Sequence, residues 1–418
     1  MRNHYTIKVD WVRATTQILL AMAFSIMFFP GGLEFITPGL FFAIDKLKIP
    51  VAFVLLAAAI VFRKKNRLLV PRSVVIIALL YAYVTAVSFS RDVNWRIVIK
   101  EFLLVAPILL LLCTNQKDSL KILSPLLFAL EWQIYLNLVT IFLFPGGMYQ
   151  EELSGNVSNW LLGYDNSWNY VFFPALFIGI TCKYLSGNRM RFWLLLLAME
   201  FQSFYRWSIM CSFGFVVFDL LYLLRFYKGK IFNIRNYLIM ATVAMIAILL
   251  YRNNLSFLAP IGSLIGKDLY SMSNRTRIWE RAIDFVRDRP VFGYGRIAAL
   301  DVARFYYFNR DAVHAHNMPL ELLFRGGIIM LVLYIIGVAF SVKKLLRFRG
   351  EEYVQVLSIA YLSVFLMMIT QVYLSPLSIL MILLGSFSPQ FIQEMHERSA
   401  HREEKKNGYR VNLARQKM

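Results

Sequence analysis

Twelve apolar stretches, near 12–29, 49–63, 73–90, 97–114, 119–144, 167–185, 191–205, 207–226, 235–251, 318–340, 353–372 and 374–392, govern what this chain can fold into. A bilayer core takes about 20 apolar residues per helix. Inside lipid each span must satisfy its own backbone polar groups, which favours helices. The pattern predicts an all-α polytopic membrane protein of about 12 transmembrane helices. The stretch at 49–63 is short, and 191–226 reads equally well as one broken unit. Composition agrees, since 17% of the residues are charged and 58% hydrophobic, against about 25% charged in soluble domains.

A formal charge of +20 raises nucleic acid as a partner, but the placement of the basic residues argues against it. Most lie in short clusters between apolar stretches, the positive-inside pattern. Arg63, Lys64, Lys65, Arg67 and Arg72 form one cluster, and Arg225, Lys228, Lys230 and Arg235 another. Loop 145–166 has Glu151, Glu152 and Asp165 with no Lys or Arg. Both termini are therefore expected on the cytoplasmic side. The first apolar run lacks a small-residue cleavage site and reads as a retained span. Cys113, Cys182 and Cys211 have no metal-ligand spacing and read as small buried residues.

The chain divides into helices 1–9 (residues 1–251), a large outside loop (252–317), helices 10–12 (318–392) and a basic cytoplasmic tail (393–418). The loop holds ten Lys or Arg against six Asp or Glu. Long loops translocate despite their charge, so something outside must favour these cations. Within the loop, Trp279, Ala282, Ile283 and Val286 recur at helical spacing, predicting an amphipathic helix on the membrane surface. Ser273 or Asn274 suits its N-cap, Pro290 ends it, and Phe292-Gly293-Tyr294-Gly295 makes a turn that needs glycine.

Arg275 and Arg277 fall in the first turn of that helix, where the dipole disfavours cations unless an anion docks there. Lipid phosphates or surface ion pairs are the plainer explanation. His316 should lie at the outer interface, where imidazole can take a proton near neutral pH. His314 is its rival, and Asn317 could hydrogen-bond a sugar. Arg206 sits at a span end or in a tight turn, facing a partner or snorkelling to headgroups. Glu131, Glu200 and Asp219 rank below it, and Lys100-Glu101 reads as an interfacial ion pair. There is no phosphate loop, no H-E-x-x-H and no D-x-D, so neither a cofactor nor a metal site is expected.

Arg275 with Trp279 four residues on, Pro290-Val291-Phe292-Gly293-Tyr294-Gly295, His316-Asn317 and Gly327 together resemble the O-antigen polymerase/ligase superfamily of bacterial membrane glycosyltransferases. Arg206 matches a second family arginine, although Tyr205 precedes it where the family often has serine. The segment 159–170 also resembles members from capsule- and exopolysaccharide-making bacteria. The resemblance covers roughly 155–345 and implies a GT-C-like enzyme in the bacterial cytoplasmic (inner) membrane. It would act on polyprenyl-diphosphate-linked glycans, with undecaprenyl diphosphate the expected carrier. By this analogy Arg206, Arg275 and Arg277 bind the diphosphate and His316 (or His314) is the base, with Trp279, Gly293, Gly295 and Asn317 supporting. The implied partners are a glycan donor, a glycan acceptor, the bilayer, a flippase and a chain-length regulator. Polymerase is favoured, O-antigen ligase is the alternative, and a polysaccharide flippase the alternative of another class.

Overall fold

The computed structural model describes residues 11–63, 69–115, 118–151, 157–225, 233–251, 263, 275–298, 301–302, 305–306 and 312–416. Its helices are α1 (Trp11–Met27), α2 (Leu33–Ile36), α3 (Pro38–Arg63), α4 (Arg72–Ser90), α5 (Trp95–Thr114), α6 (Leu120–Leu143), α7 (Asn169–Ser186), α8 (Arg189–Tyr205), α9 (Ile209–Leu224), α10 (Ile234–Leu250), α11 (Arg275–Asp288), α12 (Met318–Arg347), α13 (Glu352–Met367), α14 (Pro376–Leu383) and α15 (Ser388–Gln416). A helix lies over each of the twelve apolar stretches. Among the described residues five are long and apolar enough to cross a bilayer: α4, α5, α6, α12 and the run Pro376–Arg402, with α1, α9, α10 and α13 shorter but apolar. The protein is an all-α membrane protein. The segment 191–226 is two helices, α8 and α9, joined by a tight turn at 206–208.

Two expectations change. The helix over 49–63 begins at Pro38, because Asp45 pairs with Lys48 and Lys100, at 3.2 and 2.8 Å, and makes the polar start tolerable. Lys100 is thus bound to Asp45, while Glu101 pairs with Arg296 at 3.1 Å, so Lys100 and Glu101 do not pair with each other. The acidic loop after α6 also folds, into a small antiparallel sheet of β1 (Tyr149–Glu151), β2 (Val157–Trp160) and β3 (Gly163–Tyr164) in that order. Trp160 pairs in register with Gly163.

Most of the apolar residues form one continuous core, in which α12 packs on α4, α3 on α5, and α13 on α7, α9 and α10. A second, smaller cluster joins Ile278, Trp279 and Ala282 of α11 to Ala315, Leu320 and Phe324. The apolar face of α11 is therefore spent on protein and does not lie on the bilayer as the amphipathic pattern suggested. The proposed caps Ser273 and Asn274 lie outside the described residues. The three cysteines are free and buried.

At one end of the bundle α12 breaks. Gly327 adopts φ 61°, ψ −161°, which leaves nearby backbone groups without helical partners. The glycine turn supplies those partners. Tyr294 and Gly295 N–H groups donate to the Phe324 and Arg325 carbonyls, both at 2.8 Å, and Ile328 N–H donates to the Pro290 carbonyl at 2.8 Å. The Tyr83 hydroxyl donates to the Gly326 carbonyl at 2.7 Å. Gly293 has φ 63°, and a Cβ there would meet the Arg325 and Gly326 backbone at 2.6 Å. Only glycine allows this approach.

Candidate active site

Three parts of the chain carry the residues singled out from the sequence. The first is α11, whose described part starts at Arg275. Trp279 follows four residues later on the same helix face and is fully buried. Its indole N–H donates to the His316 carbonyl at 3.4 Å. That face aims Arg275 toward the histidine turn, and its charge acts on both His314 and His316. Burial pulls the Arg275 guanidinium below its ordinary value, with Tyr164 and Tyr170 opposing the shift. Among the described residues Arg275 has no carboxylate partner.

The second part is the turn 312–317. His316 has φ 47°, a left-handed conformation costing a non-glycine residue of order 1–3 kcal/mol unless its surroundings enforce it. Here they do so through Trp279, the neighbouring imidazole and a buried carboxylate. The two rings lie 4.1 Å apart. Burial, then His314, then Arg275 hold His316 well below the usual histidine range. Burial likewise lowers His314 to about 4, against the pull of Glu321. Both rings are neutral at physiological pH, and His316 Nδ1 is buried with no hydrogen-bond partner.

The third part is the turn between α8 and α9. Arg206 stacks its guanidinium 4.2 Å from the centre of the Trp160 ring, and one Nη donates to the Pro145 carbonyl at 3.2 Å. Its Nε is buried without a partner. Trp160 donates its indole N–H to the Phe144 carbonyl at 2.9 Å. Asn137 of α6 accepts the Leu162 N–H at 2.9 Å and donates to Gln202 of α8 at 2.8 Å. These polar groups inside the bundle fix the height of the sheet. Its far strand carries Tyr164, which the charge of Arg275 reaches. The sheet thus bridges Arg206 to Arg275.

Other residues singled out from the sequence fall elsewhere. Arg277 is exposed, about 200° around the helix from Arg275 at 100° per residue. Asn317 is fully buried and caps α12. Its Oδ1 accepts the Leu320 N–H at 3.1 Å, and its Nδ2 donates to the Ile369 carbonyl at 3.0 Å and to Met245 Sδ at 3.8 Å. Both amide hydrogens are used and the side chain is fully buried, so a sugar does not reach it in this conformation. Gly293 and Gly295 splint the helix break. Glu131 pairs with Arg191 at 2.6 Å, and Glu200 and Asp219 lie hydrogen-bonded to each other.

Glu321 and Arg325 went unnoticed in the sequence. They form a buried ion pair one turn apart on α12, and Glu321 also accepts the Ala315 N–H at 2.8 Å. Opposite charges four residues apart inside an apolar stretch were the available signal. Among the described residues no three His, Cys, Asp or Glu side chains gather as metal ligands.

No curated protein shows significant similarity to the chain. Residues 174–335, less than half of it, match the family model described as O-Antigen ligase. That segment contains Arg206, Arg275, Trp279, the glycine turn, His316 and Gly327, and over it the chain is similar to the O-antigen polymerase/ligase superfamily.

Proposed function

We propose that this protein is a membrane glycosyltransferase that polymerises polyprenyl-diphosphate-linked oligosaccharide repeat units into a surface polysaccharide. In this reading all twelve apolar helices cross the cytoplasmic membrane in a GT-C-like arrangement, with both termini inside and the site at the outer face. The observation that carries it is an arginine without a carboxylate partner, Arg275, beside a neutral imidazole whose Nδ1 is free. Such cations suit the diphosphate of the donor, and the imidazole suits the acceptor hydroxyl.

The step is an inverting substitution. The acceptor hydroxyl oxygen bonds to the anomeric carbon, and its proton passes to His316. The carbon–oxygen bond to phosphate breaks, and its electron pair leaves on the diphosphate. Arg275 and Arg206 neutralise that developing charge, so no metal is needed. The carrier's apolar chain stays among the spans.

Transfer of a finished chain to lipid A-core, the ligase reaction, uses the same groups, and the description of the matching family favours it. The experiment is purified protein in liposomes with lipid-linked repeat units. A polymer ladder supports polymerase, and product formed only when a terminal acceptor is added supports ligase. Wild-type product from Arg206→Ala, Arg275→Ala and His316→Ala alike would remove the site. Loss of activity with chelator, restored by Mg²⁺, would overturn the metal-free step.

A further inference from the structure

Either histidine of the turn could serve as proton acceptor on sequence grounds, but their hydrogen bonds differ. The His316 backbone N–H donates to His314 Nδ1 at 3.1 Å. That nitrogen therefore carries the lone pair, and the ring hydrogen of neutral His314 sits on Nε2. The free edge of His314 is then only a donor. His316 Nδ1, by contrast, is buried and has no partner. Glu321 anchors the residue between them: one carboxylate oxygen accepts the Ala315 N–H at 2.8 Å, and the other takes Arg325 Nε. Trp279 takes the carbonyl of His316. Backbone groups of two successive residues are thus tied at a position whose φ of 47° is otherwise unfavourable.

We infer that His314 and Glu321 are positioning residues, which hold His316 in its left-handed conformation for the acceptor hydroxyl, and that His314 itself takes no proton. This rests on the reading of His316 as the base. During transfer the hydroxyl proton moves to His316, while His314 keeps its Nε2 hydrogen and exchanges nothing.

The test uses the full-length protein in liposomes with a lipid-linked repeat unit, reading kcat, KM and the pH profile. His314→Ala should lower kcat by about 10–100-fold, the scale of a small misplacement of a catalytic group, with KM changed little. His314→Asn offers an amide oxygen to the same N–H and should recover about tenfold of that loss. An acidic limb should persist, moved to somewhat higher pH, because the titrating base is still His316 and His314 is one of the groups that hold it low. Glu321→Ala should lower kcat in the same way, again with KM little changed. If His314→Ala does not fold, His314→Asn decides alone. A monodisperse His314→Asn protein without activity, or with no acidic limb at all, overturns the inference. Failure of the function reading looks different, since His316→Ala would then keep wild-type turnover.

Discussion

The two ends of the bundle treat some of their cations differently. At the end away from the site three of them meet carboxylates, while Lys183 lies among aromatic rings. Arg191 meets Glu131 at 2.6 Å, Arg398 meets Asp118 at 2.6 Å and Glu394 at 2.8 Å, and Lys121 meets Asp118 at 2.9 Å. At the site end Arg296 and Arg325 are paired likewise, but Arg206 has an aromatic face and one carbonyl, and Arg275 has phenols and the two imidazoles near it and, among the described residues, no carboxylate partner. Burying a cation without a carboxylate is costly. In the proposed reading Arg275 is kept so for an anion that arrives from outside the chain.

The comparison can be broken experimentally, starting where the effect is largest. His316→Ala should reduce kcat by about 10²–10⁴-fold, the usual worth of a general base, measured by polymer formation per inserted molecule. Arg275→Ala and Arg206→Ala should each cost about 10²–10³-fold in kcat, the scale of one lost charge-stabilising donor. A milder loss in Arg206→Ala than in Arg191→Ala would reverse the assignment of the two ends.

The pH profile sharpens the same point. His316 sits below the usual histidine range partly because Arg275 is cationic. The wild-type acidic limb should therefore fall below about 6.5, the ordinary imidazole value. Removing a neighbouring positive charge makes protonation easier. The residual activity of Arg275→Ala should accordingly decline at higher pH than wild type, while Arg275→Lys should keep the wild-type limb.

At the opposite end, Glu131→Gln strands the Arg191 guanidinium, whose side chain is 31% exposed. A loss of about 1–3 kcal/mol is expected, discounted from the fully buried case, read as earlier thermal aggregation with unchanged turnover. Arg398→Ala should cost less, about 1 kcal/mol, because Asp118 keeps Lys121 and Glu394 keeps the Ser119 N–H.

Much of this could be read before the fold was known, because hydropathy reports helices directly. The motif residues also lay in order along one segment. What escaped notice has physical causes. The strands are two to four residues long, too short for alternation to register. Amphipathicity in α11 says that a face needs cover but not whether lipid or protein supplies it, and here Leu320 and Phe324 do. The partnership of residues 290–295 with Gly327 is a contact across the chain, invisible to any local window. Asn317 looked like a ligand contact because its type fits one, while its partner Ile369 lies far along the sequence. Glu321 was hidden inside an apolar stretch although its spacing to Arg325 marked it.

The interruption of α12 at Gly327 bears on how the protein enters the membrane. Bare carbonyls at Phe324 and Arg325 would cost several kcal/mol each in hydrocarbon, so the segment cannot settle as an independent span. Residues 290–295 leave the ribosome before 324–328, and the donors that quiet those carbonyls are already made when the interruption reaches the bilayer. Insertion of the last spans thus depends on the glycine turn being at hand.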